Sequence, residues 1–209
     1  LERNIPPVPN PMPDGSFSFV FASERTGFSH LYLYTFCPGI NGEQAILVRA
    51  LSAGEWMVES IAGVDMAKDL VYFTGTYDSV LERHLYALPI TNRRMAIPDE
   101  QHLQASSDDS SNSGGVRRGL SKVMHALSGK RVIGRNGEGI CRPIRLTVDS
   151  GMHSIAMDDD CRMFADTSSD LDRPTTVKIY EIPSTGPVFN GINGSSSFSD
   201  SLRLVLTLH

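Results

Sequence analysis

The six histidines and three cysteines are the residues of this 209-residue chain best suited to acid–base or nucleophilic chemistry. A serine nucleophile would need a Gly-x-Ser-x-Gly elbow, which exposes its hydroxyl on a strained turn, and the chain contains none. His30 and His84 occupy matching positions, each followed by Leu-Tyr, and His153 opens a third strand-like run. A histidine that returns with a structural repeat reads as a packing or hydrogen-bonding element rather than a base. Cys37, Cys141 and Cys161 are odd in number and lack Cys-x-x-Cys spacing, which speaks against a disulfide framework and a zinc ribbon. Asp158-Asp159-Asp160 has the charge to hold a cation, yet it falls in a tight connection where Asp side chains cap turns. Gly134-Arg135-Asn136-Gly137-Glu138-Gly139 fails the spacing of a phosphate cradle and follows no strand of a β-α-β unit. Asn193-Gly194-Ser195 is a formal glycosylation tripeptide in a loop. Trp56, the single tryptophan, lies in an apolar run and reads as core rather than as a ligand platform. No metal or cofactor is expected from this inventory.

Charge narrows the partners. Twenty-four acids against 19 bases leave a net charge of -5, so no global basic field exists to hold nucleic acid or an anionic membrane. No apolar run approaches the roughly 20 residues needed to span a bilayer, and Leu1-Glu2-Arg3-Asn4-Ile5-Pro6-Pro7 lacks the apolar stretch of a signal peptide. The expectation is a reducing, cytoplasmic setting. The one basic amphipathic segment is Gly119–Leu127, which places Leu120, Val123, Met124 and Leu127 on one helical face. Such a helix can bind a membrane or a groove; a short helix covering a sheet edge is the reading preferred here.

These residues must be positioned by strands. In Ser16–Ser23 the phenylalanines Phe17, Phe19 and Phe21 share one face, with Ser16, Ser18, Val20 and Ala22 on the other. Similar aromatic, β-branched and alternating patterns predict strands over 30–37, 45–51, 56–65, 70–76, 84–90, 144–148, 153–158, 161–168, 176–182 and 202–208. The chain is therefore expected to be all-β.

The strands repeat. Phe19-Val20-Phe21-Ala22-Ser23-Glu24, a turn and His30-Leu31-Tyr32-Leu33 match Leu70-Val71-Tyr72-Phe73-Thr74-Gly75-Thr76, a turn and His84-Leu85-Tyr86-Ala87. Arg162–Ser169, a turn and Val177–Tyr180 form a third copy, and an Arg-containing strand follows each. Tyr32 and Tyr86 are 54 residues apart, whereas Tyr86 and Tyr180 are 94 apart. The excess coincides with the compositionally distinct segment 92–140, which begins polar and reads as a disordered inserted loop. Four strands in about 40 to 50 residues are the signature of propeller blades. The expected blades are 16–51, lacking its first strand, then 56–148 and 153–208, with 1–15 as a linker from upstream and 183–201 as a long hairpin loop. About three four-stranded antiparallel blades cannot close a ring of four to eight. That, with a start on Leu and a stop straight after a strand, leads us to expect a fragment.

Ala22-Ser23-Glu24-Arg25-Thr26-Gly27-Phe28-Ser29-His30-Leu31-Tyr32-Leu33-Tyr34 resembles a motif in the propeller of the dipeptidyl peptidase IV family of serine peptidases. So do Gly54–Asp65, with Trp56, then Leu70–Thr76, ending in Gly75 and Thr76, and Leu81–Tyr86, ending in His84, Leu85 and Tyr86. The run looks most like the cytosolic, signal-less branch of that family. The resemblance is strong over 16–90, fades through 92–140 and returns weakly over 141–182.

The resemblance implies an eight-bladed propeller capping an α/β-hydrolase domain that releases dipeptides from peptide N-termini after proline or alanine. It implies peptide substrates, the hydrolase domain as partner in the full-length protein, and leaves room for a homodimer of the full enzyme. The family's Ser, Asp and His lie beyond the propeller, so no catalytic or substrate-binding residue is carried over, and the chain alone is expected to be inactive. The matched residues Ser23, Glu24, Arg25, Gly27, Phe28, His30, Leu31, Tyr32, Trp56, Gly75, Thr76, His84, Leu85 and Tyr86 are read as structural. A stand-alone propeller-type interaction module is the alternative.

Overall fold

The computed structural model describes residues 13–38, 44–91, 140–187, 189, 198 and 201–208. Within them the chain is all-β, with eleven strands in three antiparallel sheets. The first sheet runs in the order β1 (Phe17–Ser23), β2 (His30–Cys37) and β3 (Gln44–Ala50). The second contains β4 (Val58–Asp65), β5 (Leu70–Gly75), β6 (His84–Pro89) and β7 (Ile144–Arg145), and the third β8 (Met152–Met157), β9 (Met163–Ser169), β10 (Thr176–Glu181) and β11 (Arg203–Leu208). Each sheet is a meander of sequence-adjacent strands, the arrangement of a propeller blade. The basic helix expected over 119–127, the Gly134–Gly139 loop and the Asn193 tripeptide lie outside the described residues, as does all of the 92–140 insertion but its last residue.

The middle sheet carries the core. Every residue of β5 and β6 is buried, with Leu70, Val71, Tyr72, Phe73, Leu85, Tyr86, Ala87 and Leu88 fully inaccessible. A strand covered on both faces needs no polar alternation, which is why Leu70–Phe73 and Leu85–Leu88 run continuously apolar. Each large side chain so buried contributes roughly 1.5–3 kcal/mol relative to exposure. Alternation returns in the third sheet, where β8 reads exposed, buried, exposed. Phe189 and Phe198, from the Gly/Ser-rich segment after β10, are also buried in the core; their surroundings in sequence read only as loop.

Two strand ends differ from expectation. The strand foreseen at 144–148 pairs regularly only over Ile144–Arg145. Beyond it the Arg145 guanidinium turns back onto the carbonyls of Thr147, Val148 and Asp149, and Thr147 turns its hydroxyl to the Leu85 amide. Trp56 precedes β4 rather than lying in it. Its ring is buried and its indole N–H donates to the Ala53 carbonyl at 2.9 Å, so the core reading of Trp56 stands although the strand began too early.

Phe17, Phe19 and Phe21 are half-buried, because Phe17 packs on Phe36 at 5.1 Å and Phe19 stacks on Tyr34 at 5.5 Å across the β1–β2 pair. β11 is an exposed apolar strand, with Leu204, Val205, Leu206 and Leu208 44–52% exposed.

Candidate functional site

Successive sheets meet at two seams, and both are built around the residue pair that ends in histidine. In the first seam the Ser29 carbonyl accepts from the Val58 amide at 2.8 Å. In the second, the Arg83 carbonyl accepts from the His153 amide at 3.1 Å while the Arg83 amide donates to the Gly151 carbonyl at 3.1 Å. These links tie the start of a second strand in one sheet to the start of the next sheet.

His30 and His84 follow immediately. His30 Nδ1 lies 3.1 Å from Ser52 Oγ, which also accepts from the Leu31 amide. His84 Nδ1 lies 3.0 Å from Thr147 Oγ1, which also accepts from the Leu85 amide. In both, the opposite nitrogen faces an acceptor: His30 Nε2 meets the Gly54 carbonyl at 3.0 Å and His84 Nε2 meets Glu82 Oε2 at 3.1 Å. Acceptors at Nε2 demand the Nε2–H tautomer, so each hydroxyl donates its own hydrogen to Nδ1. Burial depresses both imidazoles below the ordinary 6.5; the Gly54 carbonyl opposes it at His30, and at His84 the Glu82 carboxylate does.

The seams then diverge. Against His30 stands Trp56, edge-on at 4.9 Å, stacked in turn on Phe73 at 6.0 Å. Against His84, also at 4.9 Å, stands His153. His153 takes the place of Val58, and Asp166, two residues before its register partner Ser168, takes the place of Phe73. His153 Nδ1 lies 2.8 and 2.9 Å from the two Asp166 carboxylate oxygens, and its Nε2 lies 2.9 Å from the Asp149 carbonyl. Both ring nitrogens of His153 thus face oxygen atoms, one pair from a carboxylate and one from the backbone. The second seam thus holds a buried histidine–carboxylate pair, both side chains at most 2% exposed. Around it Asp149 is held below the usual carboxylate range by Lys178, and Glu82 by its bond to His84.

Above this pair a cleft of about 550 Å³ opens between β4 and β8. Glu59, Ser60, Thr74, Arg83, His153 and Thr167 contribute to its lining, and Arg83 Nε lies 3.2 Å from Glu59 Oε2. The Asp166–His153 pair has the look of a charge-relay dyad, but the nitrogen that would activate a nucleophile is committed to a backbone carbonyl. No cluster of three metal-ligating side chains occurs among the described residues.

The other residues singled out in the sequence sit in turns and packing. Gly27, at φ +98°, closes the β1–β2 turn with its amide on the Glu24 carbonyl. Arg25 Nε donates to Ser23 Oγ at 3.2 Å, and its guanidinium lies 4.2 Å over the Tyr32 ring; Phe28 is exposed and Leu31 buried. Thr76 exchanges bonds with the Met57 backbone through its amide and Oγ1, each at 3.0 Å. A Cβ on Gly75 would meet the Met57 carbonyl at 2.5 Å, so only glycine admits that approach. Tyr86 donates to Asp78 Oδ2 at 3.2 Å. Asp158 Oδ1 accepts from the Arg162 and Met163 amides at 2.8 Å each, capping its turn rather than presenting a cation site. Cys161, buried beside Asp65 and Asp158, has its thiol pushed up to about 11, burial being the larger cause. What sequence reasoning missed is Asp166: nothing in the run Met163–Ser169 marks its carboxylate as the partner of His153, thirteen residues away.

Comparison with known proteins supplies the context. The family described as the dipeptidyl peptidase IV (DPP IV) N-terminal region matches residues 4–116. The chain belongs to that family. The match begins upstream of the resemblance seen in the motifs and reaches into the 92–140 segment, where no counterpart was expected. Among curated relatives, the probable dipeptidyl peptidase 4 of Trichophyton verrucosum is 35% identical over 82 residues, 39% of this chain and 10% of that protein. The probable dipeptidyl peptidase 4 of Aspergillus fumigatus is 37% identical over 70 residues, 34% of this chain and 8% of that protein. The chain thus spans about a tenth of the length of these DPP IV relatives. The crystal structure of Porphyromonas gingivalis dipeptidyl peptidase 4 aligns over 85% of this chain and 17% of its own, at 18% identity and a TM-score of 0.47.

Proposed function

We propose that this chain is the propeller portion preceding the hydrolase domain in a serine-type prolyl dipeptidyl peptidase. In this reading it walls the chamber that admits only short or unstructured peptide ends, while an α/β-hydrolase domain in the longer protein performs acyl transfer through a serine triad and an oxyanion hole. The observation that supports the reading is the family match over residues 4–116, joined to three consecutive meander sheets. The peptide substrates, an eight-bladed ring, a homodimer of the full enzyme and a cytoplasmic setting are part of the same proposal.

The test is to read the transcript past His209 and assay both products. A Gly-x-Ser-x-Gly elbow within the next few hundred codons, with release of dipeptide from an Ala-Pro or Gly-Pro reporter by the long product and none by residues 1–209, is the expected result. A stop codon directly after His209 would replace the reading with a stand-alone interaction module, and hydrolysis by purified 1–209 would overturn the assignment of chemistry to another domain.

A further inference from the structure

The two seams share one hydrogen-bonding plan, yet only the second buries another histidine, held by a carboxylate, beside the repeat histidine. His84 and His153 stand 4.9 Å apart, and the His84 side chain has no solvent exposure. His153 faces Asp166 from β9 and the Asp149 carbonyl from the loop before β8, where Lys178 of β10 and Arg173 neutralise the Asp149 carboxylate. His84 faces Glu82 from its own turn, with Arg145 of β7 nearby and paired to Asp78. Arg83, paired to Glu59 of β4, closes the cleft side.

We propose that the joint between the second and third sheets is an acid-sensitive hinge, in which protonation of His84 puts a buried charge against the His153 ring and loosens the contact at the floor of the β4–β8 cleft. The first seam has no second imidazole: His30 faces the Gly54 carbonyl and the Trp56 ring, and burial alone opposes its charge there.

The sign follows from linkage. Burial, with Arg145 and His153 adding to it, lowers His84 below the ordinary 6.5 in the closed joint, so the open joint binds the proton more readily. The contribution of His84 is complete above about pH 6.5 and is lost as pH falls from there through the depressed value. One histidine of ordinary titration in the open state limits the loss to about tenfold between pH 7.5 and 5.5. Glu82 moderates that loss by offering the charged ring a partner.

Hydrogen exchange of the full chain tests this at the amides that bridge the sheets. Protection of the Arg83 and His153 amides is expected to fall several-fold, up to about tenfold, between pH 7.5 and 5.5. His84→Gln should remove that fall while leaving at the Val58 amide whatever fall His30 imposes. Glu82→Gln, at a partly exposed side chain, should deepen the fall at Arg83 and His153 and leave Val58 unchanged. Protection that does not change with pH, an undiminished fall in His84→Gln, or a shallower fall in Glu82→Gln would each overturn the hinge; the last decides the matter even if His84→Gln does not fold.

Discussion

The first and second seams use the same strand start, the same hydroxyl under the histidine and the same 4.9 Å ring separation, yet one is filled by Trp56, Val58 and Phe73 and the other by His153 and Asp166. An apolar filling gains from burial alone and tolerates small misfits. A buried histidine–carboxylate contact is different, since the desolvation of its polar groups is recovered only while every partner stays in place. The repeat therefore specifies where two sheets meet, and the residues facing the histidine decide how that meeting responds to mutation and to protons.

The largest expected effect is at the apolar seam. Trp56→Ala should destabilise the chain by about 3–5 kcal/mol, the range for truncating a buried aromatic, measured by urea unfolding at pH 7.5. A loss below about 1 kcal/mol would mean that Trp56 does not anchor the seam. Next comes the polar seam: Asp166→Ala leaves the buried His153 ring without its carboxylate partner and should lose about 3 kcal/mol or more. The double replacement His153→Val with Asp166→Phe gives the second seam the filling of the first and should regain at least half of that loss. If the double variant is no better than Asp166→Ala, the equivalence of the two seams fails.

Smaller effects probe what the seams share. Ser52→Ala and Thr147→Val each remove the hydroxyl that serves both an imidazole nitrogen and a backbone amide. Each should lose about 1–2 kcal/mol, and the two losses should agree within about 0.5 kcal/mol; a wide difference would show that only one seam depends on its hydroxyl. The smallest effect is at the open edge. Leu206→Lys on β11 should change stability by less than about 0.5 kcal/mol; the exposed edge strand is expected to drive concentration-dependent association, and sedimentation should show less of it in the variant, because a charge there discourages pairing with another chain. Association unchanged by Leu206→Lys would place the sticky surface elsewhere.

Short-range patterns made much of this legible. The continuous apolar runs of β5 and β6, the Gly27 turn and the recurring His-Leu-Tyr predicted strands, turns and a repeat, because hydrophobic period, turn chemistry and local hydrogen bonding act over a few residues. Legibility failed where chain direction or distant partners matter: at Thr147, whose hydroxyl ends β7, and at Phe189 and Phe198, whose burial requires sheets already assembled.

By itself the sequence determined an all-β chain of repeated meanders, the family motifs within it, and histidines at matching places in two of the repeats, since each of these is written in neighbouring residues. Only the tertiary structure decided that His84 faces another histidine while His30 faces a tryptophan, that Asp166 meets His153 in the core, and that the side chains of β11 are left open to solvent. The physical reason is that burial and charge pairing depend on which faces meet in space, and that is settled by the packing of whole sheets, not by the spacing of residues along one strand.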